Sequence, residues 1–237
     1  MKIAGIQKST MIDYPGKIAC VIFTQWCNFR CHFCHNPECV LPEKMLLFQN
    51  DLISDSAFFN FLESRKGLLD GVSICWWEPT LQPDLYDFAK KVKGMWFAVK
   101  LDTNGRDRKI VERMIKDWIL DYVAVDLKHS MYRYEEAIGI AQNQDFFGSY
   151  EKLLQLLLQS DIDFEYRTTV AKWLHTAEDI ENMACYIRWA KNYYLQNYVW
   201  GNTLNPDFGW QPFNDEELAE FREIALKYVQ NCEIRKA

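Results

Sequence analysis

The stretch KIACVIFTQWCNFRCHFC, residues 17–34, joins an apolar run to a loop that carries three cysteines. The run KIACVIFTQ (17–25) is almost continuously apolar, which is typical of a strand that helices cover on both faces. The cysteines follow with the spacing Cys27-x-x-x-Cys31-x-x-Cys34. Thiols this close together in a loop are typical of a metal or iron–sulfur site. The stretch therefore predicts a buried strand that ends in a metal-binding loop.

Apolar runs of strand length alternate with helical stretches along the rest of the chain. The predicted strands are 17–25, 71–76, 97–105, 119–128, 163–170 and 191–198, and the predicted helices are 55–67, 85–94, 108–117, 149–161, 176–188 and 214–230. This alternation predicts an α/β fold with a parallel sheet, either an open six-stranded barrel or a doubly wound sheet. Since the sequence contains no repeat, linker or low-complexity tract, we expect a single domain over residues 1–237.

The composition is that of a globular protein without a dominant charge. Apolar residues make up 49% and charged residues 25% of the 237 residues, and the net charge is −6. Without a basic block, nucleic acid and anionic membranes are not expected as main partners. There is no apolar run of 18 residues and no signal-peptide core, so we expect a cytoplasmic location. In such a chain the eight cysteines indicate metal binding or redox chemistry rather than disulfides.

Polar side chains follow the carboxyl ends of the first five predicted strands. Besides the three cysteines they are Glu78, Asp102, Thr103, Asn104, Asp126, Lys128, Arg167 and Thr168. The carboxyl ends of parallel strands meet at one edge of a sheet, where such folds place their sites. The coincidence over consecutive strands therefore predicts a functional site at this edge.

Three thiols alone leave the coordination shell of a tetrahedral metal ion incomplete. A structural zinc site would need His32 or His35 as its fourth ligand. A cubane iron–sulfur cluster could instead keep one iron open for a substrate. The third interpretation, inert buried thiols, is disfavoured because the loop also contains Asn28, Arg30 and His32.

With Phe33 directly before the last cysteine, the loop resembles the Cys-x-x-x-Cys-x-aromatic-Cys signature of the radical S-adenosylmethionine enzymes. This resemblance implies a partial (β/α)6 TIM-like barrel and a [4Fe-4S] cluster on Cys27, Cys31 and Cys34. It also implies that S-adenosylmethionine binds the fourth iron. One electron would cleave the sulfonium, and the 5′-deoxyadenosyl radical would abstract hydrogen from the substrate.

Longer segments are similar to the activating proteins of anaerobic ribonucleoside-triphosphate reductases. They are GIQKSTMIDYPGKIACVIFTQ (5–25), HNPECV (35–40), EPTLQPDL (78–85), KLDTNG (100–105) and DYVAVDLK (121–128). The similarity implies a protein substrate that receives a glycyl radical, and a flavodoxin- or ferredoxin-like electron donor. The alternatives are an activase of another glycyl-radical enzyme, of the pyruvate formate-lyase type, a radical enzyme with a small-molecule substrate, and a Cys3His zinc-binding protein.

The same resemblance implies roles for single residues. Phe33 would lie by the adenine, and Glu78 would meet the methionine amino group. Asp102 and Thr103 would place a monovalent cation near the methionine carboxylate. The full cofactor-binding set is Phe33, His35, Trp76, Trp77, Glu78, Asp102, Thr103, Asn104, Asp126, Lys128 and Arg167. Asp126 and Lys128 also join the three cysteines in the catalytic set.

Several of these residues also have a plainer interpretation, which for Phe33 is ordinary packing within the loop. Glu78 could be a solvated glutamate in a turn, and DTNG (102–105) could be an Asx-turn. Asp126 and Lys128 could form an ordinary ion pair at a strand end. His129 and His175 receive no role, and we expect both to be surface or loop residues.

Tryptophan stands at positions where the family has glycine. Trp76-Trp77-Glu78 replaces the family's Gly-Gly-Glu, and Trp26 precedes the first cysteine, where close relatives have glycine. Glycines there let the backbone approach the cofactor closely. Two indoles at residues 76 and 77 are therefore expected to block the methionine end of the pocket.

The same substitution recurs at predicted helix ends. Trp96, Trp118 and Trp189 each follow a predicted helix, where a C′ glycine would be typical. Glycine is also scarce, with 10 in 237 residues, whereas average usage would give about 17. Counting the nine tryptophans as glycine gives 19. We hypothesise that many of them are glycine in the living protein, through UGA codons that some genetic codes read as glycine. The alternative is that all nine are genuine in an altered relative.

Overall fold

The computed structural model describes residues 1–45, 51–75, 77–142 and 144–235, so Trp76 lies outside the described residues. The described strands pair in chain order in one sheet. They are β1 Ile3–Thr10, β2 Ala19–Thr24, β3 Gly71–Cys75, β4 Ala98–Thr103, β5 Tyr122–Asp126, β6 Asp163–Val170, β7 Tyr193–Asn197 and β8 Cys232–Arg235. The described helices are α1 Pro42–Met45, α2 Asp55–Glu63, α3 Leu85–Gly94, α4 Arg108–Lys116, α5 Tyr134–Ile138, α6 Gln144–Leu158, α7 Ala177–Tyr186 and α8 Asp215–Ala225.

The six predicted strands and six predicted helices are confirmed, and two strands were missed. β1 is a poor match to strand patterns because Gln7, Lys8 and Ser9 are exposed on consecutive positions. β8 has only four residues, too few for a period to be read. Both missed strands lie at the outer ends of the strand order. Edge strands are half solvated, which is why their sequences lack the apolar run that marked the others.

The chain divides into two compact units. The first comprises Met1–Asn28 and Glu38–Val123. In it β1 pairs antiparallel with β2, while β2, β3 and β4 are parallel. Every residue of β3 is buried. Helices α2 and α3 pack through the rings of Phe58 and Phe88, whose centroids lie 5.2 Å apart.

The second unit comprises Phe29–Pro37 and Ala124–Ala237. In it β6, β7 and β8 are parallel. An aromatic cluster anchors the short first segment, since the Phe29 ring meets those of Tyr134 and Phe146 edge-on at 6.4 and 5.9 Å. In the described part of the chain no helix is long and apolar enough to cross a membrane.

His129 and His175 lie in loops, as one of the two expected placements had it, but neither is on the surface. They are 0% and 3% exposed, and their rings stack with centroids 4.8 Å apart. His129 Nε2 hydrogen-bonds the carbonyl of Leu174 at 2.8 Å, and His175 Nε2 that of Lys128 at 3.0 Å. Burial lowers the pKa of both imidazoles, that of His175 to about 3. Both rings are thus neutral and satisfy backbone groups beyond the ends of β5 and β6.

Candidate functional site

In the first unit, the backbone joins the start of the cysteine loop to the end of β3. The N–H of Glu78 donates to the carbonyl of Trp26 at 2.9 Å. Trp26 immediately precedes Cys27, so this bond places the first cysteine beside the turn that carries Glu78. Trp77, which precedes Glu78, has a φ of 51°.

The Glu78 carboxylate is completely buried. Its Oε1 accepts hydrogen bonds from the N–H of Thr80 at 3.2 Å and the hydroxyl of Thr103 at 2.7 Å. It also accepts one from the Thr80 hydroxyl, and Oε2 accepts the N–H of Asn104 at 2.6 Å. Burial raises the pKa of Glu78, and these hydrogen bonds oppose the shift. The plainer interpretation, a solvated turn residue, is therefore wrong.

Asn104 connects the end of β4 to the cysteine loop. Its Nδ2 donates to Asn28 Oδ1 at 2.9 Å and lies 3.9 Å from Cys27 Sγ. Its Oδ1 accepts the N–H of Arg106 at 3.0 Å. The Asx-turn interpretation is thus confirmed for this residue, although the same side chain also reaches the first cysteine. Thr103 likewise serves two groups, since its hydroxyl also accepts the N–H of Gly105.

Asp102 forms an ion pair with Lys100, two residues earlier on β4. The Lys100 side chain is 2% exposed and that of Asp102 is 12% exposed. The chain itself therefore supplies a cation to the carboxylate that was predicted to help bind one. The sequence signal that could have indicated Lys100 is a lysine inside the apolar strand AVKLDT.

In the second unit, backbone hydrogen bonds fix the rest of the cysteine loop. The N–H of Cys34 donates to the carbonyl of Cys31 at 2.9 Å, which closes a turn. The N–H of Arg30 donates to the carbonyl of Ile138, and the Arg30 carbonyl lies against Gly139. A Cβ on Gly139 would come 2.2 Å from that oxygen. The loop path therefore requires glycine at residue 139, a role that spacing could not indicate.

The segment after β7 holds the same loop from its other side. The N–H groups of Leu204 and Asn205 donate to the carbonyls of Cys34 and His32 at 2.9 and 3.0 Å. His35 Nε2 hydrogen-bonds the Val199 carbonyl at 2.6 Å. His35 thus has a backbone partner, and its predicted role toward a cofactor stays a prediction.

Aromatic rings pack around Phe33 in the second unit. Phe33 is 5% exposed and meets the Trp210 ring edge-on at 6.4 Å. Trp210 stacks on Phe208, which stacks on His32 with centroids 4.5 Å apart. Ordinary loop packing of Phe33 is therefore confirmed, while its contact with adenine stays a prediction.

Asp126, Lys128 and Arg167 come together at the ends of β5 and β6. Asp126 Oδ2 lies 2.9 Å from Lys128 Nζ, and Oδ1 lies 3.0 Å from Arg167 Nη2. Burial alone would raise the pKa of Asp126, but the two cations outweigh it and lower the pKa to about 2. The strand-end ion pair is thus confirmed.

The donor set of the loop fits an iron–sulfur cluster. All seven cysteines whose side chains the structure describes are thiols. Within the described ranges no three His, Cys, Asp or Glu side chains converge on one metal ion. In a cubane each thiolate binds a different iron, so its three ligands do not share one ion. Cys27, Cys31 and Cys34, three thiols within eight residues of the chain, are the ligand type and number that such a cluster needs.

Comparison with known proteins gives consistent matches. The model of the Radical SAM superfamily matches residues 21–162. A Methanocaldococcus jannaschii protein named as a glycyl-radical enzyme activating enzyme is 31% identical over 236 residues, which are 98% of this chain and 95% of the relative. The pyruvate formate-lyase-activating enzyme of Clostridium pasteurianum is 32% identical over 130 residues, 54% of this chain and 52% of that enzyme.

Solved structures share the fold at low sequence identity. A radical SAM methyltransferase from Sphaerobacter thermophilus superposes with a TM-score of 0.68 at 10% identity, over 97% of this chain and 68% of that one. A domain of the pyruvate-formate lyase-activating enzyme from Bacteroides vulgatus gives 0.55 at 15% identity, over 70% and 98%. At these identities the similarity concerns the fold alone.

Proposed function

The chain belongs to the radical S-adenosylmethionine superfamily and, within it, to the glycyl-radical enzyme activating enzymes, and we propose that its substrate is an anaerobic ribonucleoside-triphosphate reductase. Membership brings a [4Fe-4S] cluster and S-adenosylmethionine as cofactors. The predicted α/β fold of the partial (β/α)6 TIM-like barrel type is confirmed. The protein substrate, the electron donor and the roles of single residues are parts of the proposal.

When bound, the cluster and S-adenosylmethionine supply a 5′-deoxyadenosyl radical that can take a hydrogen atom from a glycine Cα. Cys27, Cys31 and Cys34 would hold the cluster as thiolates. The amide of Asn104 lies 3.9 Å from Cys27 Sγ. Because a hydrogen bond to sulfur stabilises the reduced cluster, Asn104 would raise its reduction potential.

We assign Glu78 to the cationic end of S-adenosylmethionine. A carboxylate has about four lone-pair sites, two on each oxygen. Glu78 Oε1 accepts three hydrogen bonds and Oε2 accepts one from the described residues. All these donors are neutral, so none of them compensates the charge that the buried Glu78 carboxylate has when it is ionised. Its Oε2 atom can still accept a further hydrogen bond. An ammonium group would complete its hydrogen bonds and compensate its charge.

The observation that favours the reductase over other targets is the segment before the cysteines. GIQKSTMIDYPGK (5–17) resembles the reductase activases and forms most of β1 and its turn into β2. Tyr14 of this turn is buried and packs against Tyr122 with ring centroids 5.9 Å apart. Asp13 Oδ2 accepts the Thr10 hydroxyl at 2.5 Å. The similarity to the Clostridium pasteurianum activase, in contrast, covers only 54% of this chain.

The test uses native protein, purified anaerobically with its cluster reduced. It is mixed with S-adenosylmethionine and either an anaerobic ribonucleoside-triphosphate reductase or a pyruvate formate-lyase-type enzyme. We expect the glycyl-radical signal in electron paramagnetic resonance on the reductase. A signal on the formate-lyase-type enzyme alone would contradict the proposed substrate. Zinc in place of iron, without S-adenosylmethionine cleavage, would instead support the Cys3His alternative.

The electron donor is proposed to be a flavodoxin- or ferredoxin-like protein in the cytoplasm. The cluster needs one electron per cleavage, and small flavin or iron–sulfur proteins carry single electrons. Cleavage of S-adenosylmethionine should proceed with reduced flavodoxin or ferredoxin as the sole reductant. Cleavage with dithionite but with neither protein would contradict this part of the proposal.

A further inference from the structure

Among the described residues, the left-handed backbone conformation with positive φ occurs at glycine and tryptophan only. Among the described residues other than glycine, six have a positive φ, and all six are tryptophan. They are Trp26 at 83°, Trp77 at 51°, Trp96 at 72°, Trp118 at 56°, Trp173 at 73° and Trp189 at 73°. A bulky side chain at positive φ is an outlier, because its Cβ collides with the neighbouring backbone.

The six values lie in the same left-handed region as those of five of the protein's own glycines. Gly16, Gly67, Gly105, Gly139 and Gly209 have φ between 64° and 78°. Glycine adopts this region without steric cost and is the usual residue wherever a chain needs it. The six tryptophans and these five glycines thus share the left-handed backbone conformation.

Local hydrogen bonds show which turn each position builds, and Trp118 is the clearest case. Helix α4 has its C-cap at Asp117. The N–H of Trp118 donates to the Ile115 carbonyl at 3.0 Å, and that of Ile119 to the Met114 carbonyl at 2.9 Å. This pair of bonds defines a Schellman motif, whose C′ residue is usually glycine. Trp118 occupies C′.

Two further tryptophans occupy turn positions of the same kind. Trp96 follows the C-cap of α3, and its N–H donates to the Lys93 carbonyl at 3.0 Å. Trp173 is the third residue of a turn that the N–H of Leu174 closes onto the Ala171 carbonyl at 3.3 Å. A positive φ at the third turn residue is typical of a type II turn, which requires glycine there.

The side chains give a second, independent observation. The indoles of Trp96, Trp118, Trp173 and Trp189 are 94%, 81%, 74% and 71% exposed. Trp26 is 50% exposed, with its ring 5.0 Å from Lys2 Nζ. Tryptophan is highly buried on average, so indoles with this much exposed surface are atypical. Glycine would leave no apolar surface at these positions.

Trp210 shows what a structural tryptophan looks like in the same chain. It is 5% exposed, stacks on Phe208 at 5.0 Å and meets Phe33 edge-on. It is absent from the positive-φ residues. The structure therefore distinguishes Trp210 from the six tryptophans at positive φ, which composition alone could not do. Trp200 fits neither description, since it is 64% exposed but is absent from the positive-φ residues.

We propose that the native protein has glycine at residues 26, 77, 96, 118, 173 and 189, through UGA codons read as glycine, and tryptophan at residue 210. The proposal rests on backbone geometry and exposure, and it holds whatever protein the enzyme activates. Residues 26 and 77 directly precede Cys27 and Glu78. With glycine there, the backbone on both sides of the Trp26–Glu78 hydrogen bond is open to a ligand.

The decisive measurement is peptide mass spectrometry of the protein isolated from its own cells, with the gene's codons read in parallel. We expect glycine at four or more of the six positions, each encoded by UGA, and tryptophan encoded by UGG at residue 210. Tryptophan, or a UGG codon, at three or more of the six positions would overturn the proposal.

A second measurement tests the physical basis with recombinant chains of defined sequence. One variant carries Trp→Gly at all six positions, and the matched control carries Trp210→Gly alone. We expect the sixfold variant to unfold at a higher temperature than the tryptophan-containing chain, or to fold where that chain does not. The control should unfold at a lower temperature than its parent. A sixfold variant no more stable than its parent, or a stabilising Trp210→Gly, would count against the proposal.

Discussion

Two carboxylates at strand ends have opposite surroundings. Glu78, after β3, receives only neutral donors, and burial raises its pKa. Asp126, at the end of β5, has two cations within 3.0 Å, and its pKa falls to about 2. The chain therefore supplies two cations to Asp126, whereas the described residues supply none to Glu78, whose charged partner we propose to be a ligand. This difference supports the proposed binding role of Glu78, and exposure differs in the same direction, since Glu78 is completely buried and the Asp126 side chain is 26% exposed.

Lys100→Met extends the comparison to a third carboxylate, Asp102, and should lower the free energy of unfolding more than the other variants do. Removing one partner of a buried ion pair costs about 3–5 kcal/mol, because the other charge stays buried. The side chains of this pair are 2% and 12% exposed. We expect urea unfolding to show a loss of this size, partly restored by K⁺ or Na⁺ in the variant but not in the parent. Equal salt responses would contradict a cation role for Lys100.

Asp126→Asn should destabilise the fold by about 2–3 kcal/mol, since it removes the carboxylate that lies within 3.0 Å of both Lys128 and Arg167. Their side chains are 18% and 14% exposed, so solvent screens part of the cost. Glu78→Gln should change stability by about 1 kcal/mol or less, because it loses one hydrogen bond but also a buried charge. Chemical unfolding of both variants measures this contrast.

The matched control for that contrast is Glu63→Gln. Glu63 pairs with Lys66 on the surface, with side chains 60% and 47% exposed. Exposed pairs contribute about 0–1 kcal/mol, so the control should stay within that range. If Glu78→Gln costs as much as Asp126→Asn, the distinction between the two carboxylates fails.

Glu78→Gln should weaken S-adenosylmethionine binding by about 10- to 100-fold, the loss expected for a hydrogen bond between charged groups. Equilibrium dialysis with the clustered protein measures it. Asp126→Asn, in a sample shown to be folded, should weaken binding by less than Glu78→Gln does. The reverse order would move the binding role to Asp126.

The same assay should find that Trp77→Gly raises the affinity of the tryptophan-containing chain for S-adenosylmethionine.

The pH dependence of stability should have opposite signs at the two sites. The folded pKa of Asp126 is lowered, so its contribution is present above about pH 4 and is lost as the pH falls toward 2. The folded pKa of Glu78 is raised, so its charged form costs stability as the pH rises above its ordinary value of 4.5. Each effect has a slope of at most about 1.4 kcal/mol per pH unit.

These slopes are obtained as the difference in unfolding free energy between each variant and the parent from pH 3 to 7. The buried imidazoles of His129 and His175 also make the folded protein less stable as the pH falls from about 6.5 toward 3. The reason is that they take up protons at a higher pH in the unfolded state than in the folded state. That contribution is common to parent and variants and cancels in the difference. Slopes of equal sign for the two carboxylate variants would show that their environments are alike.

Local patterns predicted the elements well and their contacts less well. The strand 163–170 and the helix 85–94 match β6 and α3 at both ends, because apolar period and terminal residues agree there. The cysteine spacing indicated the loop, but not that Gly139 and Leu204 hold it. Such contacts join residues far apart in sequence, and neither partner has a local signal. The burial of His129 and His175 within their loops was missed for the same reason, since their backbone partners lie 45 and 47 residues away.

The six tryptophans at positive φ differ from these contacts, because the sequence pattern and the backbone geometry both indicate glycine at those positions. A left-handed residue with a Cβ costs about 1–2 kcal/mol, so six of them would cost about 6–12 kcal/mol. A domain is stable by only about 5–15 kcal/mol in total. Six indoles at these positions would therefore consume most of the stability of an ordinary domain, whereas six glycines avoid that cost.

The position of residue 26 has a consequence for the gene as well as for the protein. It lies after β2 and directly before Cys27. If codon 26 is UGA, a cell that reads UGA as stop ends the chain at Gln25, before any cluster ligand has been made. Transfer of the gene into such a cell would yield a hairpin of two strands and no enzyme. The codon for the residue that begins the cysteine loop would then prevent functional transfer of the gene to organisms that read UGA as stop.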